Sequence, residues 1–379
     1  MKIDMRSPNP CMWDPVAYRI KHMSHPHVGD KWCIYPSYDF QHCLVDSLEN
    51  IDYSLCTLEF ETRRESYYWL VDQLNVWRAY VWEFGRLNLT NTVMSKRKLK
   101  TLVEDGVVSG WDDPRMPTIK GLRRRGYTPD AINNFCADIS VSRTTETTID
   151  WSRLEHFARA ALSPVAPRSF AVLDPVKLVL TNRPSHFLTA LKAPLFPAQP
   201  GRGQRDLPYQ RVLYVDRSDV KVKDEPKFLG LAPGRVVNLR YADVVHCDEV
   251  VADGEGRVTE VHCSVLSEEE KTLAIQRLDR KLGSIHWLAG EKVGEKPRSG
   301  EVRLYDSLFT VKDPSAEKDW KKALNPASEV VVPNAMLEAS LFGRKKEDHV
   351  QFERLGYFCV DGDSCGDHMV YNRTCSLHS

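Results

Sequence analysis

From Lys31 to about Leu99 short apolar runs alternate with stretches of helical spacing, a pattern that predicts an α/β segment. Trp32-Cys33-Ile34-Tyr35 reads as a strand, and Tyr68-Trp69-Leu70-Val71 through Leu74 reads as a helix. From Lys100 to about Val165 the signals are helical. Thr128-Pro129-Asp130 is a good helix start, and Asp150 is placed to cap a helix whose apolar face is Leu154, Phe157, Ala158, Ala161 and Leu162. Pro164 and Pro167 end that stretch. After Arg168 the texture changes to short β-rich runs: Val212–Val215, Val236–Tyr241, Val258–Val265, Val302–Leu308, Val330–Val332 and Val350–Val360. These predict small barrels or sandwiches. Asp253-Gly254-Glu255-Gly256 is expected to be a hairpin turn, and the Pro- and Gly-rich stretch from Arg183 to Pro208 a long crossover loop. Residues 1–30 are rich in Pro and Met without periodicity, and Lys2-Ile3-Asp4-Met5 reads as the continuation of an element that begins upstream.

Composition narrows the class. At 379 residues and 42% hydrophobic content, two or three domains are expected. The 52 basic and 52 acidic side chains cancel, so attraction to nucleic acid has to come from local patches and not from the overall field. The start of the chain has no apolar core behind a basic segment, and no run of about 18 apolar residues occurs, so neither signal peptide nor membrane span is expected. A soluble, cytoplasmic protein is the expectation. Ten cysteines without any Cys-x-x-Cys pair suit reduced, buried thiols better than a disulfide framework. His22, His25, His27 and Cys33 lie close enough to form a metal site on paper. Without a second cysteine pair they read instead as a Pro-containing surface loop. Cys359, Cys365, His368 and Cys375 match no standard zinc spacing, so no metal site is expected.

The first chemical signal is Val93-Met94-Ser95-Lys96-Arg97, a short basic loop after the strand-turn segment Arg86-Leu87-Asn88-Leu89. A lysine fixed there can neutralise charge that grows on phosphate oxygens during nucleotidyl transfer. Alone, such a loop reads better as a solvated loop before a helix. Its surroundings decide: Trp32 to Asp39, Ser54-Leu55-Cys56-Thr57-Leu58-Glu59-Phe60, Gly110-Trp111-Asp112-Asp113-Pro114-Arg115, Gly121 to Gly126 and Gln351-Phe352-Glu353-Arg354 follow in order. With these blocks the chain resembles, over nearly its whole length, the glutaminyl-tRNA synthetases of class I, and the basic loop is similar to their second signature, usually written Lys-Met-Ser-Lys-Ser.

That resemblance implies an α/β plus all-β fold: the C-terminal half of a Rossmann-type catalytic domain, a helical connector, then two β-barrel anticodon-binding domains. In this numbering, residues 1–30 would be the end of an acceptor-binding insertion, 31–100 the Rossmann half, 101–165 the tRNA-contacting helices and 166–379 the anticodon-binding region. It implies ligation of glutamine to glutamine tRNA through glutaminyl-adenylate, with ATP as a substrate that carries its own Mg2+. Partners would be glutamine tRNA, glutamine and ATP, with a multi-synthetase complex as a further one. Thr57, Arg86, Leu87, Met94, Ser95 and Lys96 match the ATP contacts, and Lys96 would stabilise the transition state. Tyr38 and Cys56 match the glutamine pocket. A neutral thiol at position 56, where glutamyl relatives place an arginine, leaves a γ-carboxylate unpaired and favours glutamine over glutamate. Arg168 and Gln351 would contact the central uracil of the anticodon, with Arg354 in the same pocket, since loop bases are read at their edges. Arg123-Arg124-Arg125 would support the tRNA backbone or a neighbouring acidic loop.

The departures are as specific. No His-x-Gly-His signature is present, so this chain alone is expected to lack half of the ATP site and to be inactive in charging. Leu229-Gly230 and Asn238 stand where bacterial members carry basic residues, and Val81 replaces a polar residue of their amino acid pocket. Three other readings compete: a tRNA-binding protein without chemistry, which the missing signature favours; a glutamyl-tRNA synthetase, which Cys56 opposes; and an unrelated oligonucleotide-binding barrel.

Overall fold

The strand expected at Trp32–Tyr35 starts two residues later, as β2 (Ile34–Pro36), paired antiparallel with β1 (Tyr18–Ile20). The structure, a computed structural model, describes residues 1–143, 147–278 and 280–378. The chain divides into two units, Met1–Asn88 with Ile139–Ile149, and Leu89–Asp138 with Asp150–Ser379.

In the smaller unit α1 (Tyr38–Leu48) leads to β3 (Tyr53–Thr57), a 3-10 turn at Leu58–Arg63, α2 (Arg64–Leu74) and β4 (Tyr80–Phe84). The two strands run parallel in unbroken register from Tyr53 opposite Tyr80 to Thr57 opposite Phe84, the βαβ arrangement that a parallel pair requires. Helix α2 stops at Asn75, which takes the left-handed conformation (φ 49°) that asparagine tolerates better than most residues. Cys43, Tyr67, Leu70, Val71, Ala79 and Val81 form the core of this unit. A further two-stranded sheet joins β5 (Leu87–Leu89) to β6 (Thr147–Ile149).

The larger unit opens with helices α3 (Lys96–Glu104), α4 (Ile119–Arg125), α5 (Pro129–Ile139) and α6 (Trp151–Leu162). The side chain of Asp150 caps α6 by accepting the Ser152 N–H at 3.0 Å, and the buried face is Leu154, Ala158 and Leu162, as the periodicity indicates. Helix α4 ends at Gly126 (φ +106°), where any Cβ would lie 2.6 Å from that of Cys359. Only glycine lets the helix end approach the sheet that closely.

Two β systems follow. Strands β7 (Arg168–Ser169) and β8 (Ala171–Val172) flank Phe170. The next six strands of one sheet are β9 (Pro175–Leu180), β12 (Val212–Asp216), β13 (Val236–Leu239), β14 (Val244–Ala252), β15 (Val258–Val265) and β16 (Gly283–Ile285), in the order β12-β9-β15-β14-β13-β16. Past β16 the chain reaches back to β12: Tyr214 and Leu288 exchange both backbone hydrogen bonds, at 2.7 and 2.9 Å, so the sheet curls towards closure. The turn at Asp253–Gly256 joins β14 to β15, with Gly256 at φ 80°. Helix α7 (Glu268–Gln276), absent from the sequence reading, starts from a capping box between Ser267 and Glu270.

Arg183 to Pro208 is not the expected loop. It contains β10 (Leu188–Pro194) and most of β11 (Gln204–Gln210), an antiparallel ribbon in full register. Each strand of a two-stranded ribbon has one free edge, so Pro194 and Pro208 can sit in it without removing a ladder bond. The run Val350–Val360 likewise holds two strands, β19 (His349–Phe352) and β20 (Gly356–Val360), folded back at Arg354 (φ 71°). With β17 (Arg298–Tyr305), β18 (Glu329–Leu337) and β21 (Val370–Cys375) they form the second sheet, in the order β7-β19-β20-β21-β17-β18-β8. Its two edge strands are separated in the chain by Phe170 alone. Side chains alternate along extended backbone, so Phe170 points away from its neighbours and is buried in the core of the first sheet among residues such as Leu178, Leu239 and Trp287.

Candidate substrate and tRNA sites

Helix α1, strand β3 and helix α2 together shape a pocket in the smaller unit lined by Tyr38, His42, Cys56, Arg63, Arg64 and Val81. Tyr38 lies against His42 and Phe60, with ring centroids 4.9 and 5.2 Å apart. Burial, then the nearby Cys56, holds its hydroxyl above the ordinary value. Burial and the Glu83 carboxylate push the Cys56 thiol up as well, so both groups stay neutral at physiological pH. The charges around them are already matched. Arg64 makes a bidentate pair with Glu83, which is fully buried and opposite Cys56 in the strand register, and Arg63 pairs with Asp39 at 2.9 Å. Asp46 accepts from Ser54 at 2.7 Å and Tyr67 at 2.9 Å and lies 3.3 Å from His42. Such a site suits a side chain that hydrogen-bonds without carrying charge. Sequence reasoning found Tyr38 and Cys56 but missed Glu83, which arrives through the βαβ crossover, and Asp46, which lies farther along α1 from Tyr38.

The residues matched to ATP fall in both units. In the smaller one Thr57 precedes the 3-10 turn, and Leu87 opens β5. Arg86 lies 3.3 Å from Glu59, whose carboxylate is held below its ordinary value first by the Thr57 hydroxyl and also by Arg86. In the larger one Ser95 occupies the cap position of α3 without a side-chain cap bond, Met94 is half-buried and Lys96 is exposed on the first turn. The helix N-terminus adds its own partial positive charge to that of Lys96.

Arg168 and Gln351 face each other across the parallel pair β7–β19, so their side chains leave the same side of the sheet. Gln351 is 7% exposed. Nη1 of Arg168 and Oε1 of Gln351 are both buried without a hydrogen-bond partner among the described residues, although unpaired groups of this kind are disfavoured. One is a donor and the other an acceptor.

Arg354 is engaged differently. Its two terminal nitrogens donate to both Asp219 oxygens at 2.6 Å, and Nη1 also meets Nδ1 of His286 at 2.9 Å. His286 lies 2.8 Å from the Ala171 carbonyl through Nε2. A carbonyl only accepts and a guanidinium only donates, so the proton sits on Nε2 and the ring is neutral. Burial, then the Arg354 charge, lowers its pKa accordingly. Behind this cluster Arg205 reaches Glu338 at 3.0 Å and Glu353 at 2.8 Å, and Tyr241 donates to Glu353. Arg354 and Glu353 lie in a block read from the sequence, whereas Asp219, His286, Arg205, Glu338 and Tyr241 carried no functional signal there.

Arg123 and Arg124 meet acidic side chains. Arg123 pairs with Glu347 at 2.8 Å, and Arg124 joins Asp361, Asp363 and Asp112 at 2.9, 3.0 and 3.3 Å. Of the two expectations for this run, the acidic loop is the one the structure shows. Arg125 turns inwards to the carbonyls of Thr374 and Tyr305. In the preceding block Asp113 holds the half-buried Arg115 through two side-chain bonds of 2.9 and 2.7 Å. At the first histidine cluster, His22, His27 and Cys33 are exposed, and His25 stacks on Tyr35. No group of three or more His, Cys, Asp or Glu side chains placed to hold a metal occurs among the described residues.

Comparison with known proteins agrees with this layout. The model for the catalytic domain of class I tRNA synthetases (E and Q) matches residues 1–164, and two models for their anticodon-binding domain match residues 166–266 and 284–361. The chain belongs to this family. Its relatives include the probable glutamine–tRNA ligase of Dictyostelium discoideum, 48% identical over 377 residues, and the cytoplasmic glutamine–tRNA ligase of Arabidopsis thaliana, 47% identical over 386. Each of these matches covers 100% of this chain and 47% of the relative. The glutamine–tRNA ligase of Vibrio vulnificus is 46% identical over 380 residues, covering 99% of this chain and 67% of the relative. The chain therefore spans about half the length of the eukaryotic relatives it matches. Within the family, the α/β unit and the two β systems occupy the stretches that the catalytic and anticodon-binding models cover. No helix among the described residues is long and apolar enough to cross a membrane.

Proposed function

We propose that this chain supplies the glutamine pocket and the anticodon reader of a glutamine–tRNA ligase, which joins glutamine to its tRNA through glutaminyl-adenylate at the expense of ATP. The observation that carries the reading is the unpaired donor of Arg168 facing the unpaired acceptor of Gln351. A base edge offers one group for each, and its arrival would relieve two buried, unsatisfied atoms at once. Arg354, anchored by Asp219 and His286, shapes the same pocket. In the smaller unit Tyr38 orients the amino acid and the Cys56 thiol selects the neutral amide. Thr57, Arg86, Leu87, Met94, Ser95 and Lys96 contact ATP, whose Mg2+ arrives with the nucleotide, and Lys96 neutralises charge on the reacting phosphate.

The four-part division at residues 30, 100 and 165, a cytoplasmic location and a place in a multi-synthetase complex belong to the same proposal. So does the expectation that these 379 residues on their own bind tRNA without charging it. The deciding experiment titrates the chain with glutamine tRNA and with the same tRNA altered at the central anticodon base. Binding that the altered base weakens by at least about 1 kcal/mol supports base reading. Equal binding to both removes Arg168 and Gln351 from that role.

A further inference from the structure

A cavity of about 200 Å³ opens in the larger unit where α6, β17 and β21 meet the segment Thr90–Thr92. It contains none of the residues assigned above to glutamine, ATP or the anticodon. Three arginines line it, and their partners differ. Arg115 is neutralised by Asp113, with Glu329 a further 3.6 Å away. Arg125 is buried yet makes only long contacts, 3.2 Å to the Thr374 carbonyl, 3.4 Å to that of Tyr305 and 3.9 Å to Glu155. Arg373 donates to the Tyr305 carbonyl at 3.3 Å and makes no ion pair within 4.0 Å among the described residues. Burial, then the charge on Arg125, lowers its pKa, which is the mark of a guanidinium short of counter-charge.

The carboxylates on the wall do not fill that need. Glu155 also lies 3.4 Å from Arg159, and Asp306 accepts the Ser307 N–H at 2.6 Å. One neutral donor completes the set: the Thr92 hydroxyl is buried and has no hydrogen-bond partner among the described residues. Two under-satisfied guanidinium forks and a free hydroxyl around one polar space match an oxyanion with several acceptor oxygens better than a single carboxylate, which one fork would saturate.

We infer that this cavity binds one phosphate group between Arg125 and Arg373, with Thr92 donating to a third oxygen. Its source is either a phosphodiester of bound tRNA or free phosphate. Only the tRNA source rests on the proposed function.

The test is a calorimetric titration of inorganic phosphate into the 379-residue chain, repeated with Arg373→Gln and Arg125→Lys, with melting curves to establish folding. Saturable binding is expected, weakened at least about tenfold by Arg373→Gln, as loss of a charge-assisted pair implies. If either arginine variant fails to fold, Thr92→Val carries the comparison, because that hydroxyl has no bond among the described residues to lose, and weaker phosphate binding is again expected. Absence of saturable phosphate binding by the unsubstituted chain overturns the inference, as does binding that every folded variant leaves unchanged. A second titration, of glutamine tRNA with and without saturating phosphate, separates the sources. Competition assigns the site to the tRNA backbone, and independent binding assigns it to free phosphate. If tRNA does not bind at all, the proposed function fails while the phosphate titration still decides the site.

Discussion

Gln351 stands directly opposite Arg168 across a parallel strand pair, and each of the two presents one buried polar atom that nothing in the described fold satisfies. Stability and recognition therefore separate at this pair. Replacing Gln351 with Leu removes an unsatisfied acceptor without opening a cavity, so the unfolding midpoint should stay the same or rise. Discrimination between glutamine tRNA and its central-base variant should fall by about 1 kcal/mol or more, the size of a lost edge contact. Parallel denaturant melts and tRNA titrations check both halves. A large stability loss with unchanged discrimination would falsify the assignment.

Cys56 makes a prediction about charge. Its neighbours are fully committed: Arg64 to Glu83, Arg63 to Asp39. No cation of the pocket is left over for a substrate carboxylate, so Cys56→Arg should raise affinity for glutamate relative to glutamine by at least about tenfold, one well-placed charge-assisted pair. Isothermal titration with the two amino acids measures the ratio. An unmoved ratio takes Cys56 out of the selectivity argument.

A third prediction concerns Arg205, whose side chain is 4% exposed and joins two carboxylates, those of Glu338 and Glu353, that are as deeply buried. Arg205→Met keeps most of the volume but strands the buried Glu338 carboxylate and leaves Glu353 to Arg240 and Tyr241 alone. A loss of about 3–5 kcal/mol in unfolding free energy is expected, the usual consequence of breaking a buried pair on one side. Urea titration reads it directly. A loss below about 1 kcal/mol would mean that the carboxylates are compensated elsewhere.

Asp361 sets an acid limit on stability. Burial alone would raise its pKa, but hydrogen bonds from Arg124, the Asp363 N–H and Asn372 outweigh that and bring it from the ordinary 3.8 to about 2. A carboxylate whose folded pKa is depressed contributes stability above its unfolded value and loses it as pH falls through the folded one. The window here therefore runs from about pH 4 down to about 2, and the contribution at neutral pH is about 2 kcal/mol. Asp361→Asn should lower stability by about that much at pH 7 and by little near pH 2. Unfolding curves recorded across this range test the convergence.

Much of this architecture was legible along the chain. The α6 face, its Asp150 cap and the hairpin at Asp253–Gly256 followed from periodicity and turn chemistry, which are local. The β10–β11 ribbon was not, because its prolines read as loop signals and only its free edges make them harmless. Helix α7 has a legible capping box at Ser267 and Glu270 but no buried residue, so no apolar stripe announced it. At the sites, Tyr38, Cys56, Arg168 and Gln351 could be named from their blocks. Glu83, Asp219, His286 and Arg205 could not, since a buried partner acquires meaning only when tertiary contacts bring it beside the charge it balances.

Phe170 divides two strands that form opposite edges of one sheet, while the other strands of that sheet all lie beyond Arg298. The intervening chain folds into a sheet of its own, so during synthesis it can complete its contacts first. The second sheet waits for β21, an interior strand that comes later in the chain than every other strand of that sheet. Until then β17 and β20 present unpaired edges, the kind of surface that recruits other chains. A polypeptide halted before Val370 thus keeps an intact first barrel beside an open sheet. Quality control that samples exposed strand edges would recognise it as unfinished, and the nascent protein depends on β21 to stop being a substrate for aggregation.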